Sequence, residues 1–125
     1  MNNLSKRTVI LGASTNPARF SYKAAHMLSN HGHEIIPVGL KKGAVAGKQI
    51  LDIRGKPFIE EVDTITLYMN SKNQRFYYDY ILTLNPRRII FNPGAENPEL
   101  ISLTREKNIH AEENCTLIML NAGMY

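Results

Sequence analysis

The sequence predicts a three-layer α/β fold, a mostly parallel sheet of about five strands with helices on both faces. Two observations carry this prediction. Short β-branched apolar runs alternate along the chain with segments of helical spacing, which is the pattern of successive βαβ units. Right-handed crossovers between parallel strands then place the helices on the two faces. With 125 residues, 43% hydrophobic and 21% charged, the chain reads as one domain over residues 1–125 that buries a core without disulfides or metal.

The first strand is the run Val9-Ile10-Leu11, which stops at Gly12 and passes through Ala13-Ser14-Thr15-Asn16-Pro17 to a helix starting near Phe20-Ser21. Such a corner exposes backbone N–H groups that have no internal partner, and the helix dipole adds positive potential there. A phosphate suits the place. Gly12 takes a Cβ out of its way, while Ser14, Thr15 and Ser21 offer hydroxyl donors. An ordinary βα turn with Ser/Thr caps would use the same residues. The helix spaces Ala24, Ala25 and Leu28 on one face and ends at Gly32, a good residue just past a helix end.

His33–Gly39 is the second strand, parallel to the first and running through Pro37 into Gly39. Residues 43–58 hold three glycines and a proline without a period. They read as a long connection with one short strand or helical turn, either a cover for a neighbouring site or a passive crossover. Val62–Met69 is the next strand, and helical spacing resumes from Ser71 through Phe76, Tyr77, Tyr80, Ile81 and Leu84. Tyr77, Tyr78 and Tyr80 have the spacing a buried helix face needs, with stacking on an adenine as the alternative. Arg88–Phe91 is a further strand ending at Asn92-Pro93-Gly94-Ala95, and Pro98 sits in the first turn of a helix reaching about Lys107. Ile109-His110-Ala111 is the last strand, followed by Glu112-Glu113-Asn114-Cys115 and an apolar tail over residues 116–120.

Charge is unevenly spread. Residues 1–58 hold nine Lys/Arg and two Asp/Glu, net +7, while residues 59–125 hold six and nine, net −3. The basic half contains the corner, and its field would draw in an anionic ligand. The basic residues are scattered and not interleaved with aromatics, which argues against nucleic acid. No apolar run is long enough for a transmembrane helix, and the polar start Met1–Arg7 does not resemble a signal peptide, so a cytoplasmic protein away from membranes is expected. A single cysteine, Cys115, excludes an internal disulfide and a cysteine-only metal site.

In parallel sheets ligands bind beyond the carboxyl ends of the strands, near the switch in strand order. Gly12 to Ser14, Gly39 to Lys42, Met69 to Ser71 and Asn92 to Ala95 all follow strand ends, so one crevice can gather them. An NAD site usually has an Asp or Glu at the end of the second strand to accept from the ribose hydroxyls. Here the chain reads Gly39-Leu40-Lys41-Lys42, with neither that acid nor a full G-x-G-x-x-G. Lys41 and Lys42 instead suit a phosphate on the ribose, as in NADP or at the 3′ position of coenzyme A. A solvated lysine pair in a loop is the alternative.

With Gly12-Ala13-Ser14-x-x-Pro17, Gly32-His33-Glu34-Ile35-Ile36-Pro37-Val38, Gly47, Val62-Asp63, Gly94 and Asn114-Cys115 in this order, the chain resembles the small stand-alone coenzyme A-binding proteins. These are similar to the coenzyme A-binding domain of the succinyl-CoA synthetase alpha subunit. The resemblance spans about residues 6–118 and implies a Rossmann-like fold that holds coenzyme A. It implies that Ser14, Thr15 and Asn16 line the diphosphate turn and that Lys41 or Lys42 meets a phosphate. Met69, Asn70 and Ser71, with Asn92, Pro93, Gly94 and Ala95, would flank the nucleotide and the pantetheine arm. The chain departs from the pattern where small members often read Pro-Val-Asn, since Gly39 follows Val38 here and a side-chain amide is lost. At the corner the aromatic is Phe20, which has no hydroxyl to donate.

No catalytic constellation is identifiable. The synthetase carries its phosphoryl group on a histidine of a separate domain with no counterpart in this chain. His26, His31 and His33 cluster at the first helix end, where capping and solvation account for them, and His110 with Glu112 and Glu113 lacks convincing three-ligand spacing, so no metal is assigned. Cys115 has no recognisable activating base and reads as a small hydrophobe, with a mixed disulfide to the coenzyme A thiol as a hypothesis. Three functions follow. The favoured one is a module holding coenzyme A or an acyl-CoA as carrier, sensor or subunit, with a protein partner or homo-oligomer allowed. The others are an NADP-binding oxidoreductase or regulator, and a ligand-free scaffold for an acidic protein partner.

Overall fold

The computed structural model describes residues 5–125. Strand β1 (Thr8–Leu11) leads to helix α1 (Phe20–Asn30) and strand β2 (Ile35–Gly39). A small hairpin of β3 (Ala44–Val45) and β4 (Lys48–Gln49) precedes β5 (Leu51–Asp52) and a 3-10 turn at Ile53–Gly55. Then come β6 (Thr64–Leu67), α2 (Ser71–Gln74), a 3-10 turn at Arg75–Tyr77 and α3 (Tyr78–Thr83). The chain closes with β7 (Arg88–Phe91), α4 (Pro98–Glu106), β8 (His110–Glu113) and α5 (Thr116–Asn121).

The main sheet runs β5-β2-β1-β6-β7-β8, and every neighbouring pair is parallel. It thus has six strands, one more than expected, because the glycine-rich stretch supplies β5 at one edge. All four residues of β1 are buried, as a central strand covered on both faces requires. On one face Val9, Leu11, Ile65, Leu67, Ile89 and Phe91 pack against Ile81 of α3, Leu84 just past its end and Leu100 of α4. On the other, Ile10 meets Ala25 and Leu28 of α1, Leu120 of α5 and Val45 of the hairpin.

Pro37 sits inside β2 without breaking it. The carbonyl of Val38 faces β1, where it accepts from the N–H groups of Gly12 and Ala13 at 2.9 and 3.0 Å. Its neighbour Pro37 therefore turns its missing donor to the outer side, where β5 pairs only with Val38 and Gly39.

Helix ends follow their sequence signals. His31 closes α1 and Gly32 follows it at φ +86°, while Asn97 caps α4 by accepting from the Leu100 N–H and Pro98 occupies its first turn. Two expectations need correction. Residues 116–120 are not a tail but most of α5, whose Thr116, Met119 and Leu120 are buried against the sheet. The helical spacing of 71–84 is met by three pieces and not one helix, since Tyr77 leaves the helical region at φ −126°. Among the described residues no helix is long and apolar enough to cross a membrane.

Candidate functional site

From β1 the chain winds outward to β2 and β5 on one side, then returns to build β6, β7 and β8 on the other. The switch in direction falls between β1 and β6, and the crevice of such a sheet opens there, beyond the carboxyl ends of the strands. The corner after β1 is packed tightly between its neighbours. Gly12 sits at φ +99°, which strains any L side chain, and a Cβ there would press on the Tyr68 carbonyl carbon at 3.0 Å. At Gly39 a Cβ would come within 2.5 Å of the Ala13 carbonyl oxygen. A side chain at position 39 would therefore require the corner to shift.

Beyond Gly12 the loop uses its own side chains. Ser14 Oγ accepts from the Asn16 N–H and Asn16 Oδ1 accepts from the Ala18 N–H, both at 3.0 Å, so these groups shape the turn. Helix α1 then starts at Phe20, with no side-chain cap from Arg19 and no acidic residue in its first turn. Among the described residues no side chain claims its leading N–H groups.

Two adjoining cavities meet over this corner and share Gly12, Ser14, Arg19, Tyr68 and Asn70. One, of about 360 Å³, is completed by Phe20 and Ser21 from α1 and by Pro93, Gly94 and Ala95 after β7. The other, of about 350 Å³, adds Ala13, Thr15 and Asn16 from the corner, Gly39, Leu40 and Lys41 after β2, Ile53, and Met69 with Asn73 after β6. Each falls within the size range of small-molecule sites, about 300–1,000 Å³.

All but three of the residues expected in the crevice line these walls. Lys42 lies on neither cavity, and Ser71 opens instead onto a surface groove between α2 and α4. Asn92 is buried and occupied: its Nδ2 donates to Thr66 Oγ1 at 2.7 Å and to the Leu67 carbonyl at 2.9 Å, and its Oδ1 accepts from the Thr116 N–H at 2.9 Å. Its amide has nothing left to offer a ligand.

The structure also adds residues. Arg19 borders both cavities and has no ion-pair partner among the described residues. Its signal was a cation at the start of the first helix. Tyr68, one residue past β6, borders both as well. Its hydroxyl lies close to those of Thr66 and Thr116, which bond to each other at 2.8 Å, and it takes no well-aligned hydrogen bond of its own. Burial pushes this phenol up to about 12. Leu40 and Ile53 supply apolar wall, and Ile53 carried no readable signal because it comes from the segment without a period. The Arg54 guanidinium holds the Asp52 carboxyl below its ordinary range and reaches the Leu40 carbonyl at 3.4 Å, tying the loop after β2 to β5.

Other candidates have structural partners. Tyr80 is buried and donates to the Pro57 carbonyl at 2.6 Å, while Tyr77 and Tyr78 pack against the core, and none of the three borders a cavity over the corner. His33 Nδ1 accepts from the Lys6 N–H at 2.9 Å, and its ring rests on Tyr125. Burial, with Lys6 beside it, lowers the His33 pKa. His31 Nδ1 lies 2.8 Å from the Met27 carbonyl at the end of α1, and His110 sits 3.4 Å from Glu112. Among the described residues no three His, Cys, Asp or Glu are placed to hold a metal ion. Cys115 is a free, half-buried thiol on the wall of neither cavity.

A parallel sheet in this strand order, with its crevice at the switch point, defines a Rossmann-like α/β domain. The chain belongs to the CoA-binding domain family, whose model matches residues 6–121. A solved structure described only as an uncharacterized protein is 52% identical, covers 98% of this chain and all of its own, and superposes with a TM-score of 0.94. The fold recurs in a protein from Thermus thermophilus at 19% identity, covering 97% of this chain and 91% of that one, with a TM-score of 0.85. It recurs again in a hypothetical protein from Pyrococcus horikoshii at 18% identity, covering 97% and 84%, with a TM-score of 0.82.

Proposed function

We propose that the crevice over the β1–α1 corner binds coenzyme A or an acyl-CoA, and that the protein works as a non-catalytic binding module, sensor or subunit. The observation that carries this reading is the start of α1, where neither a cap side chain nor an acidic residue competes with an anion, and where Arg19 and Lys41 stand close by. A diphosphate is the group such a place favours. Leu40 and Ile53 offer the apolar wall an adenine needs, with Lys41 beside them for the 3′-phosphate. Phe20, Tyr68 and the 93–95 loop flank the other cavity, which suits the pantetheine arm. The family match supports coenzyme A and lends no support to NADP.

Calorimetric titration with coenzyme A and with 3′-dephospho-coenzyme A tests the reading. Saturable binding should weaken without the 3′-phosphate, and Lys41→Ala should erase the difference between the two ligands while Lys42→Ala preserves it. Absence of heat at millimolar ligand, together with no complex in native mass spectrometry, would overturn it.

A further inference from the structure

One buried side chain ties together the two loops that border the proposed site. Gln74 is fully buried at the end of α2. Its Nε2 donates to the Met69 carbonyl at 2.7 Å and to the Ala95 carbonyl at 2.8 Å. Met69 belongs to the loop after β6 and Ala95 to the loop after β7, and both loops border the crevice. On its other side, Gln74 Oε1 accepts from Asn97 Nδ2 at 2.9 Å. The second Asn97 hydrogen goes to Tyr78 Oη at 2.8 Å, and that hydroxyl donates to Glu99 Oε1 at 2.9 Å.

Chemistry fixes the direction of this chain. Reversing the Gln74 amide would set its oxygen against two carbonyl oxygens and its nitrogen against the Asn97 amide donor. Every hydrogen of both amides has an acceptor, so removing one donor leaves buried groups without partners. A carboxylate, with no donor, or a protonated acid, with one, cannot hold Met69 and Ala95 at once.

We infer that Gln74 is a positioning residue, one that never touches the ligand but sets the distance between the two loops that enclose the cavity beside Phe20. The inference rests on the binding reading above. It predicts a graded effect: contacts to the arm of coenzyme A, held between Asn70 and the 93–95 loop, depend on both Gln74 bonds, whereas the cavity beside Gly39, Leu40 and Lys41, which Met69 also lines, feels only one of them.

The experiment compares wild type, Gln74→Glu and Asn97→Asp. A glutamate of nearly the same shape can donate to one carbonyl at most, and only when protonated. The aspartate keeps the cap oxygen that serves the Leu100 N–H but puts an oxygen where Gln74 Oε1 needs a donor. Coenzyme A affinity should fall about tenfold in Gln74→Glu and about threefold in Asn97→Asp, while affinity for adenosine 3′,5′-bisphosphate stays within about twofold. Amide hydrogen exchange without ligand should quicken in both variants over residues 69–73 and 93–97 and stay unchanged in β1. A general loss of stability would weaken both ligands together and speed exchange in β1, and that pattern refutes the positioning role, as does wild-type affinity with unchanged exchange. Should Gln74→Glu fail to fold, Asn97→Asp carries the same test. If wild type binds no coenzyme A, the binding reading fails, but the exchange pattern still decides whether Gln74 pins the two loops.

Discussion

Replacing Gly39 by alanine probes the packing of the corner directly. The backbone at Gly39 lies outside the left-handed region, so alanine meets no conformational strain there and the cost is purely steric. The added Cβ would stand 2.5 Å from the Ala13 carbonyl oxygen and 3.3 Å from the Ala13 nitrogen, both rigid backbone atoms. Relief requires the corner to retreat, which stretches the bonds from Gly12 N–H and Ala13 N–H to the Val38 carbonyl. Overpacking of this kind costs about 1–3 kcal/mol, and the stiffer unfolded chain returns about 0.4–1 kcal/mol, for a net loss of about 1–2 kcal/mol. In a domain of this size that lowers Tm by about 3–8 °C. Coenzyme A affinity should fall about tenfold, because the displaced corner borders the proposed anion site. Gly55→Ala is the control: no atom lies within 4 Å of its Cβ and its φ is ordinary, so it should match wild type or gain up to about 1 kcal/mol. Thermal unfolding followed by circular dichroism, with calorimetric titration of each variant, reads both effects. A Gly39→Ala protein that melts and binds like wild type would refute the close packing of corner and strand.

Three further outcomes are expected. Arg19→Ala should weaken coenzyme A about tenfold and flatten the salt dependence of binding, as loss of a phosphate partner does, in titrations at two ionic strengths. Burial raises the phenols of Tyr68 and Tyr80 to about 12, from an ordinary value of 10. Their contribution is complete below about pH 10 and is lost as pH rises toward 12, with a slope of up to about 1.4 kcal/mol per pH unit for each group, so urea midpoints should drop across that window and Tyr68→Phe should flatten the drop. His33 behaves in the opposite sense: its pKa is lowered from 6.5, so stability is full above that pH and declines below it as the unfolded chain takes up the proton first. Denaturation series from pH 7.5 to 5 should show this decline in wild type and a smaller one in His33→Leu.

Where local chemistry dictated structure, the sequence was readable. Val9 to Leu11, Gly12 and the spacing of Ala24, Ala25 and Leu28 specify strand, turn and helix with nearest neighbours alone, and Gly32 and Pro98 mark helix ends for the same reason. Strand β5 was obscured because its two residues acquire strand geometry only by lying beside Val38 and Gly39. Residues 116–120 are too few to display a helical period, and the burial of Met119 and Leu120 shows it only in the fold. The site follows the same division. Loops after strands were identifiable from their glycines and prolines, and most of them do border the crevice. Which side chains enter it was not identifiable, since that depends on contacts across the sheet. Asn92 was expected to flank the ligand, yet it is taken up by Thr66 and Thr116, which lie 26 and 24 residues away in sequence. Arg19 and Ile53 line the cavities because distant strands bring their segments together.

The three bonds of Asn92 also determine how the end of the chain is mounted. A helix held to a sheet by apolar contact alone can slip by a fraction of a turn at little cost, as oiled surfaces slide. Here a single amide joins Thr66 on β6, the Leu67 carbonyl and the first N–H of α5, while Thr66 grips the Thr116 hydroxyl beside it. The C-terminal helix is keyed to the sheet as a shaft is keyed to a wheel, in one angular setting. The key stands immediately before Pro93, which borders the crevice, so the same amide that sets the C-terminal helix also fixes where the 93–95 loop begins.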